Sequence, residues 1–517
     1  MRHLKTGTRP GLALALVLFA SPPAHGAPGD GSLGRVRLPT SCAAEVRDEL
    51  DSAVALLHHM TYRRAREGFL RVAAADPGCA MAQWGVAMTL FQPLWPNRPG
   101  AAELRGGQEA VERARALAPP TERERLYVAA VAAFFADSAS TDHWQRIRRW
   151  EAAQEALHRA FPDDPDAAAF FALAHLAAAP LAERPLDHHE RAAALLLALH
   201  GALPTHPGAL HYLIHANDVT GREGLSLDVV RSYGEIAPHN PHALHMLTHI
   251  FVRLGSWQEA IDWNRKAAAA ALDHPEGEHG EHVSDEFPHT LEYLVYAALQ
   301  QGDFATATDA WHRVRRTASL QPTFKTAFHL ASIPARIALE GHAWAEAASL
   351  PLREPAQVQW DRFPWPEAIT RFARGLGSAR GGDVGAARDA VAALAGLRDR
   401  AREAGEEGFA REIELLRLEL AAWVAHGDGD AAAALALMGS AVELEATTPK
   451  QAVTPAPTLP AEELLGDLLL ELGNPSGALA AYEAALRSWP ARRNSLAGAE
   501  AARKRLDASP AAPGTLP

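Results

Sequence analysis

The chain has 517 residues, a formal net charge of -12 and only two cysteines. That length exceeds what one hydrophobic core serves and suits an elongated array of helix pairs. The acidic balance excludes a general nucleic-acid binder, which needs a basic face to displace counterions.

Residues 1–26 read as a signal peptide. Arg2, Lys5 and Arg9 are followed by an apolar run at 12–20, and Ala24 and Gly26 supply the small side chains of a cleavage site. Export to the periplasm or the cell exterior follows as the expectation, with a retained N-terminal anchor as the alternative. The run is too short for a stable span, and no later stretch is long and apolar enough, so no membrane span is expected after signal removal. Residues 27–40 read as a flexible segment. In an oxidising compartment Cys42 and Cys79 are expected to bridge, because they sit at the same end of neighbouring helices; two buried free thiols are the alternative.

Helical stretches then recur at 45–59, 62–75, 80–90, 122–136 and 144–160, and the pattern continues to 502. Ala and Leu dominate them and lose little entropy in a helix. Gly, Pro and Asp fill the breaks. The centre carries an internal repeat: PGALHYLIHANDVTG (207–221), PHALHMLTHIFVRLG (241–255) and PHTLEYLVYAALQQG (288–302) align residue for residue. The first two start 34 residues apart, the tetratricopeptide period, and the third is displaced by an insertion at 273–285. The expected fold is an all-α, right-handed tetratricopeptide-like solenoid of antiparallel helix pairs. Its N-terminal array spans 41–356, with a histidine-rich centre at 206–296, and its C-terminal array spans 357–507. The Pro- and Trp-rich stretch 357–366 marks the break between them, and the tail 508–517 reads as disordered.

Of 25 histidines, 15 lie between His175 and His289. His211, His245 and Glu292 share the position four residues after the aligned proline, and His215, His249 and Tyr296 the position four later. Residues so spaced lie on one helix face, and Asp218 extends it. If these helices line one concave surface with axes roughly 8–10 Å apart, their imidazoles and carboxylates converge on a divalent zinc, iron, manganese or copper ion. The candidate ligands are therefore His211, His215, His245, His249, Glu292 and Asp218, with His289, His206 and Tyr296 as accessories. The paired His-x-x-x-His spacing lacks the glutamate that zinc proteases use as base, since Tyr212 and Met246 follow the first histidine. The insertion histidines His274, His279 and His282 suggest a solvated loop or an accessory shell. His58, His59, His188 and His189 read as surface positions.

The segments CAMAQWGVAMTL (79–90), HPGALHYLIHAND (206–218), PHALHMLTHIFVRLG (241–255), FPWPEAITRFARGLGSARGGD (363–383) and VTPAPTLPAEELLGDLLLELG (453–473), with ALAAYEAAL (478–486), carry a family resemblance. The chain resembles exported bacterial tetratricopeptide-repeat proteins with a histidine-rich centre, over nearly its whole mature length. It departs from that pattern at Leu247 and Thr248, where the family reads Pro-Ser, and at Asn217, where it reads Tyr; every potential ligand is spared. The resemblance implies architecture and no established activity. A scaffold whose groove takes a protein, peptide or small ligand around a metal is one expectation. A metal-dependent hydrolase or oxidoreductase is another, and a metal-storage protein a third. Cys-x-x-Cys-His, phosphate-loop and Gly-x-Ser-x-Gly patterns are all missing from the sequence.

Overall fold

A computed structural model describes residues 33–95, 98–277 and 279–508. The signal-peptide and C-terminal-tail expectations fall mainly outside these residues. Among them, 23 α-helices run from α1 (Arg47–His58) to α23 (Arg493–Ala508), most of them packed mainly on their chain neighbours. There are no strands among the described residues, only two isolated β-bridges. The architecture is an α-solenoid.

Local chemistry sets the helix ends. Asp164 caps α7 (Pro165–Ala178) by accepting from the backbone N–H groups of Asp166 and Ala167. Asn240 does the same for Ala243 of α11 (Pro241–Leu254). In α9 (Pro207–Asn217) the cap is a histidine: His206 Nδ1 accepts from Ala209 N at 3.2 Å. Proline opens α9 and α11, where its missing N–H leaves no bond unmade. The third repeat differs slightly, because α13 (Glu286–Gln300) begins two residues before Pro288. Gly255 ends α11 at φ 69°, a left-handed conformation that glycine takes without a Cβ penalty. Cys42 and Cys79 form a disulfide, with Cα atoms 4.8 Å apart, which fastens the entry of α1 to the start of α3 (Ala80–Met88).

Beyond this neighbour-to-neighbour packing, distant parts of the chain close over the centre. The segment 449–460, between α20 (Ala431–Ala446) and α21 (Ala461–Glu471), lies against α13, α15 (Phe324–Glu340) and Asp218 at the end of α9. Lys450 Nζ pairs with Asp218 at 2.9 Å. Tyr293 Oη donates to the carbonyls of Ala452 and Thr454 at 3.1 and 3.0 Å. Arg336 donates to the Pro457 carbonyl at 2.8 Å and to Thr454 Oγ1 at 2.8 Å. Buried Arg492 bridges Glu340 and Glu463 at 2.9 and 2.7 Å. The insertion at 273–285 is also tied down rather than freely solvated: Glu276 pairs with Arg63, and His282 Nδ1 bonds Ser319 Oγ at 2.7 Å.

Candidate metal centre

Helices α9, α11 and α13 bring a set of buried imidazoles together. His245 Nε2 and His249 Nε2 lie 3.2 Å apart, and the His289 ring is centred 4.3 Å from that of His245. One ring nitrogen from each of the three falls within 4.8 Å of the other two. All three rings are essentially inaccessible to solvent.

The outer nitrogen of each ring is held by an acceptor, which fixes its tautomer. His245 Nδ1 meets Asn264 Oδ1 of α12 (Trp257–Leu272) at 2.8 Å, and the amide is oriented by its own bond to the Ala260 carbonyl. His249 Nδ1 meets Asp218 Oδ2 at 2.9 Å. His211 Nδ1 meets the His58 carbonyl at 2.6 Å. His289 Nδ1 donates to His329 Nε2 at 3.0 Å, because the Nδ1–H of His329 is itself committed to Glu292, which Arg336 Nε holds at 2.9 Å. In each neutral ring the proton therefore sits on Nδ1, and a bare Nε2 lone pair faces inward.

Two lone pairs 3.2 Å apart repel unless a cation stands with them. A proton is a poor candidate. Burial, reinforced by neighbouring histidines, holds His211, His215, His245 and His289 well below the usual imidazole range. Burial also brings His249 down to about 4 in spite of Asp218. The separation matches the ~3.3 Å edge between two nitrogens bound at about 2.05 Å in tetrahedral geometry. Held outer nitrogens are also the usual support of metal-binding histidines. Nε2 of His211, His215, His242 and His289 has no hydrogen-bond partner. Each such buried group costs about 1–3 kcal/mol if left so.

The structure thus gathers His211, His215, His245, His249 and His289, and stations the carboxylates behind them. Asp218 is committed to His249, Arg253 and Lys450. Glu292 is committed to His329 and Arg336, which overcome burial and keep its carboxyl below the ordinary range. Neither reaches inward as a ligand, a correction to the reading from spacing. His206 belongs to a separate group with His58 and Asp166. Tyr296 turns toward Trp257, Arg336 and Arg492. His58 and His59 are fully buried, not surface positions, while His188 is half-buried beside His175 and Glu151.

Sequence reasoning missed His242 and His329. His242 carried a usable signal, since it holds the same position after the aligned proline as His289. In the first repeat that position is Gly208, where a Cβ would come within 2.5 Å of His58 Nδ1. A cleft of about 220 Å³ opens beside the hollow, with His242, Tyr62, Trp95, Glu286 and Lys325 in its walls.

No family model and no curated protein matches the chain. Among solved structures, the P58(IPK) TPR domain aligns at 12% identity, covering 91% of this chain and 100% of that one, with a TM-score of 0.21. Yeast Tom70 aligns at 9% identity over 89% of each chain, with a TM-score of 0.33. A chain of the Naa15/Naa10 complex bound to HypK-THB aligns at 12% identity, covering 84% and 62%, with a TM-score of 0.21. Scores of that size give no basis for assigning a function.

Proposed function

We propose that this is an exported metalloprotein in which a helical solenoid encloses a transition-metal centre at His245, His249 and His289, reached by a small ligand through the adjoining cleft. The observation that carries the reading is the 3.2 Å approach of two Nε2 atoms whose protons are committed elsewhere. An all-imidazole donor set suits zinc, copper or iron and argues against manganese, which prefers oxygen. Three protein ligands leave a tetrahedral ion one open position, the arrangement of catalytic rather than structural sites. The chain's own 449–460 segment occupies part of the surface that a peptide would use, at Tyr293 of α13 and Arg336 of α15.

The test is metal content. Full-length protein made without a histidine tag, incubated with Zn(II) or Cu(II) and desalted, is expected to retain the ion. The His245→Ala/His249→Ala variant is expected to bind it at least about 100-fold more weakly, since even supporting residues are worth 10–100-fold. Retention of no metal by the parent protein would overturn the proposal.

A further inference from the structure

A single ion at His245, His249 and His289 leaves much of the hollow unexplained. His211 Nε2, His215 Nε2 and His242 Nε2 are buried and without a hydrogen-bond partner. His211 and His215 stand one turn apart on α9 with rings centred 5.0 Å from each other, and the His242 ring of α11 is also 5.0 Å from that of His211. The His211 tautomer is fixed with its lone pair on Nε2 by the bond from Nδ1 to the His58 carbonyl. His242 Nδ1 lies 3.3 Å from Glu286 Oε1, and Lys325 holds that carboxylate at 2.6 Å. This carboxylate–imidazole arrangement frees His242 Nε2 for a cation.

We infer that His211, His215 and His242, whose donor nitrogens stand wider apart than the 4.8 Å that bounds the first triad and are drawn together by the ion, bind a second transition-metal ion, so that the hollow is a two-metal centre with three imidazoles for each ion. The inference rests on the proposed first site. The two triads touch: the rings of His215 and His249 are centred 5.9 Å apart, and those of His242 and His245 6.4 Å apart. Ions held by triads in ring contact would be neighbours and, on this proposal, would share a small bridging ligand and couple magnetically. The second ion is the exchangeable one, because His242 forms part of the cleft wall. Imidazole-only coordination on both sides favours Cu(II) or Zn(II). Together the two ions would answer every inward nitrogen left bare at His211, His215, His242 and His289.

Cu(II) titration of the full chain tests this. A His188→Ala background removes the half-buried Glu151, His175 and His188 group from the count. The expected result is two equivalents of copper with an electron paramagnetic resonance intensity well below that of two isolated ions. His211→Gln/His242→Gln is expected to retain one equivalent at full intensity, and His245→Gln/His249→Gln the other. One equivalent in the parent sinks the second site and leaves the first standing, whereas none sinks both. Two equivalents at full, uncoupled intensity overturn the neighbouring pair. Should either variant fail to fold by circular dichroism, the stoichiometry and coupling of the parent still decide.

Discussion

Two histidine clusters lie on either side of α9, built from the same residue types and equally buried, yet they are chemically opposite. In the group of His58, Asp166 and His206 almost every ring nitrogen is answered by protein. Asp166 Oδ1 accepts from His58 Nε2 at 2.9 Å and His206 Nε2 at 3.3 Å. His58 Nδ1 pairs with Tyr212 Oη at 3.1 Å, and His206 Nδ1 caps α9. In the hollow the outer nitrogens are answered and the inner ones are not. Burial and clustering alone therefore do not mark a metal site. The proposed centre is distinguished by the direction in which unanswered lone pairs point, and the first cluster is the structural knot that the second is not.

The largest expected difference follows from that contrast. Asp166→Ala strands two imidazoles in the knot and is expected to cost about 3–5 kcal/mol, the penalty for removing one partner of a buried charged network, while leaving metal content unchanged. Denaturant unfolding and metal analysis check both halves. Chelation acts the other way round: it leaves the knot intact and removes about 4 kcal/mol of apparent stability relative to a free metal concentration a thousand times Kd. An unfolding midpoint indifferent to chelator would erase the distinction. Smaller again is Asn264→Leu, which takes the acceptor from His245 Nδ1 and is expected to weaken metal binding 10–100-fold. Equilibrium competition with a chromophoric chelator measures that loss.

Acid separates the clusters too. The hollow imidazoles are neutral when folded, with burial bringing His249 to about 4 and holding the others well below the ordinary imidazole range. Unfolded histidine takes up its proton near 6.5. Between pH 6.5 and about 4 the unfolded chain thus binds more protons, and metal-free protein loses stability as pH falls through that window. His58, lowered by burial, adds to the same slope. Asp166, lowered by His206 and His58 against burial, has the opposite origin: its contribution is complete above its ordinary value near 3.8 and is lost only at lower pH. An acid scan that shows no decline between pH 6.5 and 4 would contradict the neutral hollow.

The sequence made the helical class and the shared register of the histidine pairs legible, because both are local properties of a 3.6-residue period. It could place His211, His245 and Glu292 at one repeat position but could not show which faced inward. Glu292 is diverted by His329, 37 residues on, and by Arg336, 44 residues on. The position of 449–460 beside the hollow depends on Lys450 meeting Asp218, a pairing that no periodicity announces. Spacing identified faces; the choice between ligand and support was made by partners from distant helices.

The C-terminal helices supply a third solution to the same problem, and the smallest expected effect. Glu419, on α19 (Glu407–Gly427), is fully buried with both carboxylate oxygens unpartnered. Burial, with Glu445 and Glu412 nearby, pushes its carboxyl well above the ordinary range, and Glu412 and Glu445 rise to about 8 and about 7. An unanswered acid takes up a proton, where unanswered imidazoles call for a metal. The pH dependence accordingly changes sign. Above about 4.5 the unfolded chain releases protons that the folded one keeps, so stability is lost as pH rises from there toward 8. Glu419→Gln removes one such proton and is expected to stabilise the protein by about 1 kcal/mol at pH 8, roughly the value of one pKa unit, with a smaller gain at pH 5. An equal change at both pH values would mean that the carboxyl is not held protonated in the fold.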